Sequence, residues 1–285
     1  MPTGLNSWHW FVGDGLVLRR CNPFRSEAAT RYEHEVLRRL DALGWPVAAP
    51  ALAPDGDTLV DVHGCWYALF PRLRGRKVWP RSVEALERLG SQLAGLHGAT
   101  SELVDLGARP DWPRLAGYAS TPWPPDGRTF ADGLSELDLR EPILAGRICR
   151  HHEEVSECLL DVSGLPEVVV HGDFHAGNLL VRASVLAGVL DFDLTCLDLR
   201  TADIATTLGF HHGPEERAAI VRGYSNVSAL ADREVRVLPT LRRARNLAHA
   251  AHAMSFWTSG RDDMLAQVEL AADLLDGERF PDEWE

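Results

Sequence analysis

The apolar positions of the chain change period twice, and each change marks an element. Trp8 to Val12 and Leu16 to Arg20 are apolar-rich runs on either side of Gly13-Asp14-Gly15. Asp-Gly between such runs predicts a hairpin. From Ser26 to Leu43 the spacing becomes helical: Ala29, Tyr32, Val36, Leu40 and Leu43 share one face, Ser26 is placed to cap the start, and Gly44 to stop the end. Thr58 to Val62 and Cys65 to Leu73 read as a second strand pair across His63-Gly64. Hairpin, helix and hairpin together predict a small antiparallel sheet carrying one helix.

Arg72 to Pro80 breaks both periods, so a boundary is placed there, with one lobe over residues 1–73 and a second over 74–285. The second lobe is expected to be mainly helical, over Ser82 to Leu96, Leu134 to Leu160, Ala202 to Leu208, Glu215 to Tyr224, Arg233 to Trp257 and Asp262 to Leu275. Residues 101–133 crowd Pro, Gly, Asp and Trp and read as ordered loop. Three short β-like runs interrupt the helices: Glu167 to Val170, Leu179 to Arg182 and Ala187 to Leu190. The fold class is α+β with two lobes.

Composition narrows the functional classes. The chain has 285 residues, 45% of them hydrophobic, which supports a sizeable core. It shows no apolar run long enough for a membrane span and no basic-then-apolar leader. Five cysteines without Cys-x-x-Cys spacing predict a reduced, cytoplasmic protein. A net charge of −12 argues against nucleic acid and anionic membrane as partners and is compatible with a cationic ligand. Lys77 is the sole lysine, so basic roles fall on arginine.

The densest chemistry lies in His171-Gly172-Asp173-Phe174-His175-Ala176-Gly177-Asn178, followed by Asp191-Phe192-Asp193. Both stretches follow β-like runs, so a base, an amide oxygen and a carboxylate fall at the ends of short strands. Phosphoryl transfer uses such a set: one Asp orients and deprotonates the acceptor hydroxyl, while an Asn and a second Asp hold the metal on the nucleotide phosphates. The same residues permit a second reading, a metal-dependent hydrolase with a His171-Asp173-His175 array, which leaves Asn178 and Asp191 without purpose. The pairs His151-His152, His211-His212 and His249 with His252 lack metalloprotease spacing and read as surface or core histidines.

The Asp-x-x-x-x-Asn spacing before Asp-Phe-Asp resembles the catalytic segment of the protein-kinase-like fold. His-Gly-Asp and Asp-Phe-Asp make it look like the aminoglycoside phosphotransferase family, which includes choline-kinase-like and homoserine-kinase-like enzymes. The resemblance runs from residue 4 to about residue 210. It implies that Asp173 is the catalytic base, that Asn178 and Asp191 are magnesium ligands, and that His171 and Asp203 brace the catalytic loops. His175, inside the first stretch, is a candidate either to line the acceptor pocket or to position the loop, and Asp193 is a second candidate acceptor contact. On the nucleotide side the resemblance puts Arg19 at the usual lysine position and Asn6 and Ser7 in a phosphate-covering loop. Pro71 and Leu73 would read the adenine through backbone groups, with Phe70 as the pocket wall.

The helix acid paired with Arg19 is Glu33 or Glu35; the helical wheel leaves both open, and the family spacing favours Glu35. Three residues precede Gly4, so the first strand of relatives is expected to be shortened or missing, unless the recorded start is internal. The implied activity is transfer from ATP, with Mg2+, to a hydroxyl of a small molecule. Expected acceptors are an aminoglycoside or other cationic antibiotic, alternatively homoserine, choline or a similar amino alcohol. The expected assembly is a monomer or dimer.

Overall fold

The computed structural model describes residues 7–112, 114–159, 162–211 and 213–277. Gly4, Leu5 and Asn6 of the expected phosphate-covering loop lie outside the described residues. The chain forms two compact units, Met1–Trp112 with Val168–Leu197 and Ala219–Ser228, and Pro113–Glu167 with Asp198–Ala218 and Ala229–Glu285.

The first unit holds a four-stranded antiparallel sheet made from β1 (Trp8–Val12), β2 (Leu16–Arg20), β3 (Val60–Val62) and β4 (Cys65–Pro71), in the order β1-β2-β4-β3. His63 and Gly64 both take positive φ, 54° and 76°, as a two-residue hairpin turn requires. β2 is central, and its register sets Arg19 opposite His9 on one side and Ala68 on the other. Helix α1 (Glu27–Ala42) begins where Ser26 Oγ accepts from the Ala29 amide and ends before Gly44 at φ 80°. Its buried face carries Ala29, Tyr32, Val36, Leu37 and Leu40, and also three polar residues, Thr30, Glu33 and His34.

Helix α2 (Val83–Thr100) meets the later part of helix α6 (Pro214–Ser225) through two glycines. A Cβ on Gly90 would stand 2.0 Å from Ile220 O, and one on Gly223 would stand 1.9 Å from Glu87 O, so no larger residue fits either place. In the same unit, Val168 and Val170 of β5 (Glu167–Val170) pack with Cys196. A hairpin of β6 (Leu179–Arg182) and β7 (Val185–Val189) follows the His171–Asn178 loop. The segment after β4 lies along this hairpin: Arg76 and Val181 exchange both backbone hydrogen bonds, at 3.0 and 2.9 Å. Gly75 and Gly188 make that approach possible, since a Cβ on either would meet Leu180 at about its own contact limit or closer.

The second unit is helical. It contains α3 (Phe130–Arg140), α4 (Pro142–Leu159), α5 (Arg200–Leu208), α7 (Asp232–Thr258) and α8 (Leu265–Gly277), and α6 (Pro214–Ser225) starts in it. One helix was expected over 134–160. Two form instead, because Pro142 has no amide to donate and forces Glu141 out of helical geometry, to φ −134° and ψ 63°. α3 also starts earlier than expected, with Thr129 and Asp132 closing a capping box. Among the described residues no helix is long and apolar enough to cross a membrane.

Candidate active site

Both chemical stretches lie in the first unit, each at the end of a strand. After β5 the chain turns at Gly172, φ 84°, where a Cβ would stand 2.5 Å from Leu194 O. This close approach fixes the His171–Asn178 loop against the loop after β7. His171 is fully buried, and its tautomer follows from its partners. Nδ1 accepts from the Asp173 amide at 3.2 Å, so Nε2–H donates to Leu190 O at 2.9 Å. With both nitrogens so engaged, His171 is not placed to ligate a metal, and the hydrolase array of His171, Asp173 and His175 does not form.

His175 Nδ1 accepts from the Gly177 amide at 3.0 Å, which leaves Nε2 toward Asp173 Oδ2 at 3.4 Å. The Trp79 ring stacks on His175, with centroids 6.0 Å apart. Asn178 Nδ2 donates to both Asp173 O, at 3.0 Å, and Asp173 Oδ2, at 3.1 Å. The amide is thereby oriented, nitrogen toward Asp173, with its oxygen turned to the other side. Asn178 O also accepts from the Leu190 amide at 2.8 Å, tying the two loops together one residue before Asp191.

Asp191 takes φ 65°, a left-handed conformation that a non-glycine residue rarely holds. Although the residue is exposed, its carboxyl sits among protein atoms. Desolvation there, and then the charges of Asp193, Asp173 and Glu33, push its pKa up to about 6. Convergent carboxylates together with an amide oxygen are the hard-oxygen donor set that a divalent cation such as Mg2+ or Ca2+ takes. The donor chemistry therefore fits a metal carried by Asp191 and Asn178.

On the sheet, Arg19 points at α1 and at the second loop. Its Nη1 donates to Glu33 Oε1 at 2.7 Å and to Asp193 Oδ1 at 3.2 Å, and its Nη2 donates to Glu33 Oε2 at 3.2 Å. Phe70 lies under the guanidinium, 4.6 Å from ring centroid to Cζ. The pairing expected of Glu35 is thus made by Glu33. Glu35 is directed away, to Arg38 and Arg39 on its own helix, at 2.8 and 2.9 Å. The reason is helical phase: Glu33 lies on the buried stripe and Glu35 beside it. Burial would raise the Glu33 carboxyl, but Arg19 and Arg25 outweigh that and hold it far below the usual range. Arg19 moves upward for the same cause, with Glu33 and Asp193 overcoming its own burial.

The other expected residues are placed as follows. Ser7 is buried just before β1, Pro71 ends β4 exposed, and Leu73 is half-buried in the segment beside β7. Asp203 is buried in the first turn of α5 in the second unit; Leu199, not Asp203, holds the N-cap position. Three residues escaped the sequence reading. Arg25 Nη1 donates to Glu33 Oε2 at 2.7 Å and to Asp193 Oδ1 at 3.2 Å, and Arg109 Nη1 donates to Asp193 O at 2.6 Å. Asp198 is buried in the second unit, accepts from the Leu115 and Leu199 amides, and is pushed up to about 6 by burial. No local pattern marks these three, since each also has a partner far away in sequence: Asp193 for Arg25 and Arg109, and Leu115 for Asp198.

His34 completes the buried cluster. Nε2 accepts from Arg19 Nη2 at 3.2 Å, so Nδ1–H donates to Thr58 Oγ1 at 2.8 Å. Burial, and then the guanidinium charges of Arg19 and Arg25 against the pull of Glu33, lower its pKa to about 4. In the unfolded chain the value is about 6.5. The folded pKa is the lower one, so the stability held by neutral His34 is complete above about 6.5 and drains away as pH falls toward 4. The loss is about 3 kcal/mol in full. Urea unfolding between pH 7 and 4.5 should show this decline, and His34→Gln should remove one proton's worth of the slope. An unchanged slope in that variant would mean that His34 is protonated in the fold.

A family comparison decides what this geometry belongs to. A model of the phosphotransferase enzyme family (APH) matches residues 4–238. The chain belongs to this family. It is 28% identical to a homoserine kinase of Phenylobacterium zucineum over 235 residues, 80% of this chain and 67% of that protein. It is also 28% identical to stress response kinase A of Salmonella paratyphi A, over 80% of this chain and 66% of that one. The chain spans about two thirds of the length of the curated relatives it matches. Among solved structures, an amicoumacin kinase in complex with AMP-PNP, Ca2+ and Ami superposes with a TM-score of 0.70 at 17% identity, covering 99% of this chain and 89% of that chain. A choline/ethanolamine kinase family protein from Mesorhizobium loti also gives 0.70, at 15% identity, over 99% and 88%. These neighbours carry the two-lobed protein-kinase-like fold, with its antiparallel N-terminal sheet.

Proposed function

We propose that the protein transfers the γ-phosphoryl group of ATP to the hydroxyl of a small amino alcohol, with Mg2+ as the divalent cation. The observation that carries this reading is the assembly of Asp173, Asn178 and Asp191 in one unit, in that order, with Arg19 facing the same loop. Asp173 is the base: its carboxylate is held by Asn178 Nδ2 and flanked by His175 Nε2, so it is oriented before an acceptor arrives. Asn178 and Asp191 would hold the cation, which supplies charge neutralisation on the phosphates. Arg19 supplies fixed positive charge. A phosphate oxygen would compete with Asp193, its longer and more exposed acid partner, and leave the Glu33 pair in place.

Residues 1–73 are assigned the nucleotide and 74–285 the acceptor. Ser7, Phe70, Pro71 and Leu73 belong to the nucleotide side. The amino-alcohol reading draws on the relatives named homoserine kinase and on a solved aminopropanol kinase of the same fold. An aminoglycoside acceptor draws on the acidic balance of the chain and on fold neighbours that are aminoglycoside phosphotransferases. Five cysteines, none in Cys-x-x-Cys spacing, accord with a reducing, cytoplasmic setting.

ATP turnover measured against homoserine, aminopropanol, choline and a set of aminoglycosides should single out an amino alcohol. Calorimetry should show ATP binding strengthened by Mg2+. Turnover confined to aminoglycosides would overturn the acceptor class, and binding of GTP alone would overturn the nucleotide.

A further inference from the structure

Asp191 holds a left-handed backbone at φ 65° without being glycine. Such a conformation costs on the order of 1–3 kcal/mol and persists only where its surroundings over-determine it. The constraint must therefore come from both sides of the residue. Upstream it is visible: Leu190 is pinned by His171 Nε2 on its oxygen and by Asn178 O on its amide. Phe192 is buried against the His171 ring at 4.5 Å. Downstream the anchor is Asp193, and three arginines from three separate segments converge on it. Arg19 and Arg25 each donate to Oδ1 at 3.2 Å, and Arg109 donates to the backbone oxygen at 2.6 Å and on to Thr195 O at 3.0 Å.

Arg25 belongs to no regular element. It is held by Glu33 Oε2 and by Ala29 O, so its guanidinium is a rigid link from α1 to the loop. Arg109 remains cationic at neutral pH, although burial, and then the charge of Arg25, lower its pKa to about 10. Asp193 is thus held at its carboxylate by Arg19 and Arg25 and at its backbone oxygen by Arg109.

We propose that Arg25 and Arg109 are positioning residues for the cation-binding loop: they fasten Asp193, Arg25 by its carboxylate and Arg109 by its backbone, and so hold Asp191 in the conformation that presents its carboxylate. The inference rests on the reading of Asp191 as a metal ligand. Groups that orient a ligand from behind are worth roughly 10–100-fold in metal affinity.

The probe is Mn2+, titrated into the full chain with saturating AMP-PNP and followed by loss of the free Mn2+ electron paramagnetic resonance signal. Arg25→Ala should weaken Mn2+ binding on the order of 10-fold or more. The same change in an Asp193→Asn background should add little, because the carboxylate through which Arg25 acts is already neutral. Arg109→Ala should behave oppositely: its effect should survive Asp193→Asn, because its grip is on the backbone. If Arg25→Ala does not fold, Arg25→Lys replaces it; one of its two acid contacts is lost, and a smaller weakening should again vanish with Asp193→Asn. Unchanged Mn2+ affinity in variants whose melting temperature falls would reduce the arginines to packing and overturn the inference. So would an Arg25 effect undiminished by Asp193→Asn. If the wild-type chain itself binds no Mn2+ with AMP-PNP, the reading of Asp191 falls and the inference with it.

Discussion

Replacing Asp173 with asparagine should abolish phosphoryl transfer while leaving nucleotide binding nearly intact. The amide is almost the same size, and the backbone contact from Asn178 to Asp173 O does not depend on the side chain. What is lost is the ability to take the acceptor's proton, a contribution of about 10²–10⁴-fold. Asp191→Asn should act differently. It removes one of the carboxylates whose mutual repulsion marks the cation site, so metal-dependent nucleotide binding and turnover should fall together. Calorimetry with AMP-PNP and a steady-state assay on the same preparations separate the two. Equal loss of nucleotide binding in both variants would make Asp173 a metal ligand. Retained turnover in Asp173→Asn would move the base elsewhere, and His175, whose Nε2 is 3.4 Å from Asp173 Oδ2, is the first place to look.

The parts of this fold that were legible in the sequence are those determined by local chemistry. His63-Gly64 could only be a turn with two positive φ angles, and Ser26 with Gly44 bounded α1 within a residue at each end. The two loops that carry Asp173, Asn178 and Asp191 were legible because the order and spacing of those residues place each stretch after a short strand. What was not legible depends on contacts far apart in the chain. Arg25 meets Asp193 across 168 positions, and Arg109 reaches it from a loop with no motif of its own. Pro142 is a different kind of miss, since its effect on a helix is local and was outweighed in the reading by the apolar period on both sides.

The choice between Glu33 and Glu35 shows the same limit at a single site. A family spacing counts positions, whereas the partner of a buried arginine is decided by helical phase. Glu33 is 1% exposed and is shared by two guanidinium groups, while Glu35 keeps about a third of its side-chain surface. Glu33→Gln should therefore be severe. It leaves Arg19 and Arg25 buried with only Asp193 to share, and breaking a buried pair from one side costs about 3–5 kcal/mol. For a chain of this size that is a fall in melting temperature on the order of 10 °C. Glu35→Gln removes only surface pairs on the same helix and should stay within about 0.5 kcal/mol of wild type. The contrast should also depend on pH. Glu33 is held below its unfolded value, so its stabilisation is complete above about pH 4.5 and is lost as pH falls below that. Above pH 4.5 the gap between Glu33→Gln and wild type should be full, and it should narrow in stronger acid. Thermal melts of the two variants at pH 7 and at pH 4 would read both effects. A larger loss from Glu35→Gln than from Glu33→Gln would return the pairing to Glu35.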